Sequence, residues 1–331
     1  QQFAKTIVIT YLLASLITDA REFRLALVVI ALSLGFEATK QGWSQLILNP
    51  GGKNFNPVPF LGDENGVAVG MLMLMPVLGV LGQTTEQPWA RFLYRFMAVG
   101  VFYRAISTWS RGGFISALAL GAIYLIRSPQ RVRSLLGILI AAAITLPAFP
   151  DEFWDRMSTI TPHEEEMDDS AKGRVHYWRV GLSMANDNPL TGVGHKAYDR
   201  AYDQYDFLSG EFGRRRSAHS TWFGVLGELG YPGLFLFALN VFSALRACGR
   251  ARRLAVAIGN DELRRYAIAI ETGLGVFFVG GSFVVFQYTE MLWHFIGLSI
   301  ALEAIAAKAA EAETRSEESV PEPAAAAASG F

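Results

Sequence analysis

The sequence predicts an all-α, polytopic membrane protein, and three observations carry that expectation. The chain is 51% hydrophobic, with 23 Phe and 7 Trp among its 331 residues. Its apolar residues lie in long runs and do not alternate, the pattern of membrane-crossing helices rather than half-buried strands. The basic residues gather in alternate connections between those runs, the sorting that membrane insertion imposes.

Taken in order, spans are expected near 3–18, 25–43, 66–82, 92–109, 113–127, 134–149, 222–245, 266–286 and 290–307, about nine transmembrane helices. The first is short for a bilayer core of roughly 30 Å, and the chain opens on Gln1, so a fragment of a longer protein with further amino-terminal helices is expected. Internal helices suffice to direct insertion, and no cleavable signal is expected. Arg21 and Arg24 precede the second span, Arg91 and Arg95 open the fourth, and Arg127, Arg131 and Arg133 separate the fifth from the sixth. Arg246, Arg250, Arg252, Arg253, Arg264 and Arg265 lie between the seventh and eighth. The positive-inside rule assigns all of these to the cytoplasm. The connections 44–65, 110–113, 150–221 and 287–289 then face outward, an asymmetry hidden behind a net charge of −1.

Four regions follow from this reading: amino-terminal helices over 1–149, an outward (periplasmic) loop over 150–221, carboxy-terminal helices over 222–308, and a tail over 309–331. The tail is rich in Glu, Pro, Ser and Ala and poor in large apolar groups, so disorder is expected. The single Cys248 falls on the cytoplasmic side and is expected to be a reduced packing residue.

The outward loop holds most of the candidate chemistry. His163, Glu164, Glu165, Glu166, Asp168 and Asp169 crowd together, but without the ligand spacing and Gly of a calcium loop they read as a solvated acidic segment. GRVHYWRVGLSMANDNP reads as a short amphipathic helix with Val175, Trp178 and Leu182 on one stripe, stopped by Asn188-Pro189. Arg174 and Trp178 are one turn apart in it, so the indole can pack beside the guanidinium. Gly192 and Gly194 in NPLTGVG mark a turn that either offers backbone donors to a ligand or is an ordinary loop, and His195 reads as a surface imidazole. Tyr198, Tyr202 and Tyr205 interleave with Asp199, Asp203 and Asp206, a pattern that suits stacking on sugars or a helix at the membrane interface.

Three basic elements from distant parts of the chain share the outward side: Arg111 in the turn between the fourth and fifth spans, Arg174, and His219 at the mouth of the seventh. Arginine keeps its charge and its fork matches phosphate oxygens bidentately. Two such groups beside an imidazole meet the needs of a lipid diphosphate leaving group and a hydroxyl nucleophile, with His219 taking the proton. The plainer readings are headgroup contact for Arg111, a helix-surface charge for Arg174, and an interfacial polar residue for His219. Arg214, Arg215 and Arg216 read as a headgroup-contacting patch, with Arg216 also a supporting site residue beside Trp178, Ser220 and Glu228. Glu228, two turns into its span, needs a hydrogen-bond partner there. Glu290 and His294 read as interfacial, and Asp63 and Glu64 as helix-start residues with a reserve claim to the role of base. The chain contains no Asp-x-Asp pair and no His/Cys cluster at ligand spacing, so neither a metal nor a cofactor is expected.

WSRGG at 109–113, GRVHYW at 173–178, NPLTGVG at 188–194 and AHSTWFGVLGELGYPG at 218–233 together resemble the O-antigen ligase and polymerase superfamily. RMSTI, the acidic run, DSAKGR and HSTWFGVLGELG are most similar to the O-glycosylation ligases associated with exosortase systems. The resemblance covers roughly residues 60–245. It implies a metal-independent, inverting glycosyltransferase of the inner membrane that moves a glycan from undecaprenyl diphosphate to a hydroxyl acceptor (lipid, protein or glycan) at the periplasmic face. It carries the diphosphate contacts to Arg111 and Arg174 and the catalytic imidazole to His219. The polar residue that follows the motif histidine is Ser220 here, a departure that bears on an amide-dependent contact. A glycan polymerase using a lipid-linked acceptor is the nearest rival, and a lipid-linked-sugar transporter or an assembly scaffold the rivals of other classes. Membrane lipids are expected neighbours, and nucleic acid is not an expected partner.

Overall fold

The computed structural model describes residues 2–160 and 169–318, and among them the chain is helical, with no strand. The helices are α1 (Gln2–Leu16), α2 (Ala20–Leu48), α3 (Glu64–Thr84), α4 (Pro88–Ile106), α5 (Arg111–Arg127), α6 (Arg131–Thr145), α7 (Asp151–Ser158), α8 (Asp169–Asp187), α9 (Tyr198–Tyr205), α10 (Thr221–Ala257), α11 (Asp261–Gly280) and α12 (Glu290–Glu318). Polar side chains at the entries explain why several begin where they do. Asp19, Asp63, Ser110, Ser220 and Asn260 each accept a hydrogen bond from a backbone N–H in the first turn of the helix that follows.

Each expected apolar run falls on a helix. Among the described residues three helices are long and apolar enough to cross a membrane: Glu64–Thr84, Thr221–Ala257 and Glu290–Arg315. α3 is buried on nearly every side, between α4, α11, α2 and α5. α10, α11 and α12 pack together beside it, and α1 lies on α12. Side chains such as Leu25, Val29, Phe36, Phe92, Phe235 and Leu236 stay exposed around this core, the lipid-facing pattern of a membrane bundle. Cys248 is buried and unpaired, as expected.

α2 meets α4 at backbone distance. A Cβ on Gly42 would stand 1.8 Å from the Gly100 carbonyl oxygen, and one on Gly100 would stand 2.8 Å from that of Thr39. Small residues allow such an approach. Trp43 locks it, donating Nε1–H to the Phe96 carbonyl at 2.9 Å and stacking on the Phe96 ring at 4.7 Å.

α10 is broken at Gly230, where φ is +67°, with Pro232 just beyond. The segment 188–194 fills the break. Val193 and Gly194 donate N–H to the carbonyls of Gly227 and Glu228, both at 2.9 Å, and Tyr231 donates to the carbonyl of Pro189 at 2.9 Å. Gly192, at φ +60°, comes so close that a Cβ there would lie 2.4 Å from the Glu228 carbonyl carbon. The amide of Gly194 therefore serves a protein carbonyl, and that of Gly192 bonds the Asn188 carbonyl at 2.9 Å. The turn is an ordinary structural one and not a ligand cradle.

The layer of α8 and α9 corrects two expectations and α12 a third. α8 is a helix that stops at Asn188-Pro189, but it buries His176, Tyr177, Val180 and Met184, whereas Val175, Trp178 and Leu182 stay partly or largely exposed. The inner face is set by α9 and by Ala218, which close over these aromatics. Tyr198 and Tyr202 are buried in the same cluster, and Tyr205 accepts from the Asn188 amide at 3.0 Å. They are core residues, not a stacking platform, while Asp199 and Asp203 alternate to the exposed side. α12 continues past Lys308 to Glu318, since its Ala- and Glu-rich sequence suits a helix; residues 319–331 lie outside the described part. So do His163, Glu164, Glu165, Glu166 and Asp168.

Replacing Gly42 by Ala is expected to lower the thermal midpoint of the detergent-solubilised protein, because overpacking against a carbonyl costs about 1–3 kcal/mol. Gly79→Ala, where nothing lies within 4 Å, is the matched control and should cause no loss. Equal midpoints in a thermal melt of the two variants would contradict the α2–α4 contact.

Candidate functional site

The site forms where the turn before α5, the ends of α7 and α8, and the entry to α10 meet. Ser110 starts it. Its hydroxyl caps α5 by accepting from Gly113 N–H at 3.0 Å and donates to Asn65 Oδ1 at 2.7 Å. Arg111 is thus placed at the helix N-terminus, whose dipole also favours an anion. Its guanidinium reaches Thr159 Oγ1 at 2.7 Å and Ser170 Oγ at 3.0 Å, joining the end of α7 to the start of α8. Ser170 lies one helical turn before Arg174.

Arg174 is within electrostatic reach of His219, as are Arg216, Asp63 and Glu64. The His219 imidazole is partly buried, packs against the Tyr177 ring at 5.8 Å, and makes no hydrogen bond to the described residues. Burial first, and the Arg174 charge second, hold its pKa below the usual 6.5. It therefore stays neutral at pH 7 and has a ring nitrogen able to accept a proton. His219 stands at φ +43° and Trp109, two residues before Arg111, at φ +56°. Such left-handed backbone costs about 1–3 kcal/mol for a residue with a Cβ and tends to persist where function needs it.

The other expected site residues divide. Ser220 caps α10, accepting from Phe223 N–H at 3.4 Å, which fixes His219 one residue ahead of the helix. The Trp178 indole stacks on Phe223 at 5.4 Å and 6°, so its packing partner is on α10. Arg216 is exposed and donates Nε–H to the Phe212 carbonyl at 2.7 Å. Arg214 and Arg215 are exposed too, as a surface patch would be. Glu228 is turned away from this mouth. It accepts from the Tyr288 hydroxyl at 2.6 Å and from Tyr198 N–H at 3.4 Å, the helix-packing role its position called for. Asp63 caps α3, accepting from Gly66 N–H at 2.9 Å. His195 is exposed and meets the Tyr288 ring at 4.5 Å.

Three further groups belong to the same region. Arg156 on α7 donates Nε–H to the Trp109 carbonyl at 2.9 Å. Lys53 lies 3.8 Å from Glu64, and burial, then the Arg156 charge, lower its pKa. His176, in the GRVHYW motif, bonds Asp206 at 2.8 Å with both side chains buried. Burial would raise the Asp206 pKa, but N–H groups of Leu208 and Gly210 and the imidazole hold it low. That pair fastens the segment before His219 to α8. Arg156 sits inside the RMSTI motif, a signal that was available in the sequence; Lys53 had none, because its neighbours come from elsewhere in the chain.

Arg174→Gln is expected to raise the titration midpoint of His219, followed by NMR of labelled histidine, since one of the two main causes of its depression is removed. For the wild-type group the sign is fixed: the unfolded chain protonates first as pH falls. Its stability contribution is complete above pH 6.5 and is lost as pH drops through the folded value. An unmoved midpoint in the variant would contradict the Arg174–His219 proximity.

Comparison with known proteins bears on the region just described. No curated protein matches the chain. Residues 96–238 match the family model of O-antigen ligase, a stretch that contains Arg111, Arg174 and His219. Over residues 96–238 the chain is thus similar to the O-antigen ligase family.

Proposed function

We propose that this membrane protein transfers a glycan from undecaprenyl diphosphate to a hydroxyl acceptor at the periplasmic face, without a metal and with inversion at the anomeric carbon. α1 to α6 and α10 to α12 are the nine spans of this reading, and the loop charges set their orientation. The observation that carries the proposal is a His219 imidazole without a hydrogen bond to the described residues and within electrostatic reach of Arg174, whose helix also carries the Ser170 hydroxyl that Arg111 reaches.

In the reaction the acceptor oxygen attacks the anomeric carbon as the bond from that carbon to the phosphate oxygen breaks. The electron pair leaves with the diphosphate, and the acceptor proton passes to His219. Arg111 and Arg174 meet the charge that develops on the leaving group. Attack from the face opposite the leaving diphosphate, in a single displacement, inverts the centre. The resemblance of the RMSTI and DSAKGR motifs to the O-glycosylation ligases associated with exosortase systems supports a ligase within this reading.

Purified protein with a lipid-linked oligosaccharide and a hydroxyl acceptor tests this. His219→Ala is expected to reduce transfer by about 10²–10⁴-fold, the usual contribution of a positioned base, and Arg174→Gln to reduce it strongly. Full activity in either variant would remove the residue from the mechanism. Transfer of a whole glycan in one step is the expected product pattern; a ladder of added repeats would make the protein a polymerase.

A further inference from the structure

Away from the His219 mouth, the outer end of α2 and the connection 49–57 enclose a cavity of about 560 Å³. That volume lies within the roughly 300–1,000 Å³ of small-ligand sites. It stands at the outer edge of the expected span 25–43. Gln41, Ser44, Gln45, Asn49, Asn54 and Asn56 line it, so its wall is rich in amide residues, with Gln41 and Gln45 spending their N–H groups on the protein. Glu37 and Lys40, also in the wall, pair at 2.8 Å and leave no net charge. Amides both donate and accept, which suits the hydroxyls of a neutral sugar rather than an anion or a lipid tail.

The cavity is a built feature. Gln41 donates to the Pro57 carbonyl at 3.0 Å and accepts from Arg104 Nε at 2.7 Å, and Arg104 Nη2 donates to the Asn56 carbonyl at 2.5 Å. Gln45 donates to the carbonyls of Asn49 and Gly52 at 2.7 and 3.0 Å. Asn54 is only 4% exposed. Its N–H bonds the Ser107 carbonyl at 2.8 Å and its Oδ1 takes Asn56 N–H at 2.9 Å. Its Nδ2 donates to no described residue although Asn54 lines the cavity. The Asn54 amide is thus open toward a polar space in which a hydrogen-bonding ligand can meet it. The neighbouring residue, Lys53, reaches Glu64 beside His219, so the cavity backs onto the loop that edges the site.

We propose that this cavity binds a sugar unit of a substrate glycan through its hydroxyls. The inference rests on the glycan-transfer reading above. The sugar belongs either to the lipid-linked donor or to a glycan acceptor.

The test places a photoreactive side chain at the exposed Ser44 (Ser44→p-benzoylphenylalanine) in the full chain in nanodiscs. It is illuminated with labelled undecaprenyl-diphosphate oligosaccharide or with labelled free acceptor saccharide. An adduct with the first assigns a donor subsite, and one with the second an acceptor subsite. Adducts with neither, with protein only, or equally with undecaprenyl diphosphate lacking sugar would overturn the proposal. Crosslinking needs no turnover, so a protein that binds sugar without transferring it would count against the transfer reading alone, and transfer without adducts against the cavity alone. As a second readout, Ser44→Leu with Asn49→Leu is expected to raise KM for one of the two substrates about tenfold, the value of one to two neutral hydrogen bonds. Unchanged KM for both would contradict it.

Discussion

The break in α10 is the constraint on which the α8–α9 layer and the His219 mouth depend. A helix interrupted at Gly230 leaves carbonyls that must be satisfied wherever water is excluded. The amides of Val193 and Gly194 supply those bonds, and no side chain larger than hydrogen fits at Gly192. Because 188–194 is tied there, α8 before it and α9 after it are laid across the first two turns of α10. Glu228 adds a second tie, gathering Tyr198 and Tyr288 onto its carboxylate. A residue that resembles a mid-span functional acid thereby serves to seat the outward layer.

That seating determines the chemistry available at His219. Ser220 fixes the start of α10, the His176–Asp206 pair fastens the segment before it, and Tyr177 closes one side of the imidazole. The ring is then half-removed from water and faced by cations, which keeps it neutral and leaves its nitrogens unbonded. Under the proposed function the same cations, Arg174 and Arg216, would meet an anionic leaving group. Arg111 is held by hydroxyls of Thr159 and Ser170 among its partners.

Much of this was legible in the sequence where the signal is local. Run length and loop charge located the helices, the pairing of Asn188 with Pro189 ended α8, and the side-sharing of Arg111, Arg174 and His219 followed from topology. What was missed depends on contacts between distant segments. The buried face of α8 is chosen by α9 and Ala218, so the Val175, Trp178, Leu182 stripe pointed the wrong way. The tyrosines of α9 have the composition of a sugar platform, and only their packing against Tyr177 and Val180 makes them core. Lys53 and the amide cavity are assembled by hydrogen bonds from the 51–56 connection to α4 and the turn after it, which no spacing in the sequence announces.

The central claim is that His219 faces an anion site governed by Arg174. The most direct measurement is the titration of the His219 ring by NMR, with and without saturating undecaprenyl diphosphate. A bound diphosphate offsets the positive charge that helps to depress the imidazole, so the midpoint is expected to rise on addition of the lipid. A midpoint that stays in place while the lipid is bound would put the diphosphate elsewhere and contradict the account.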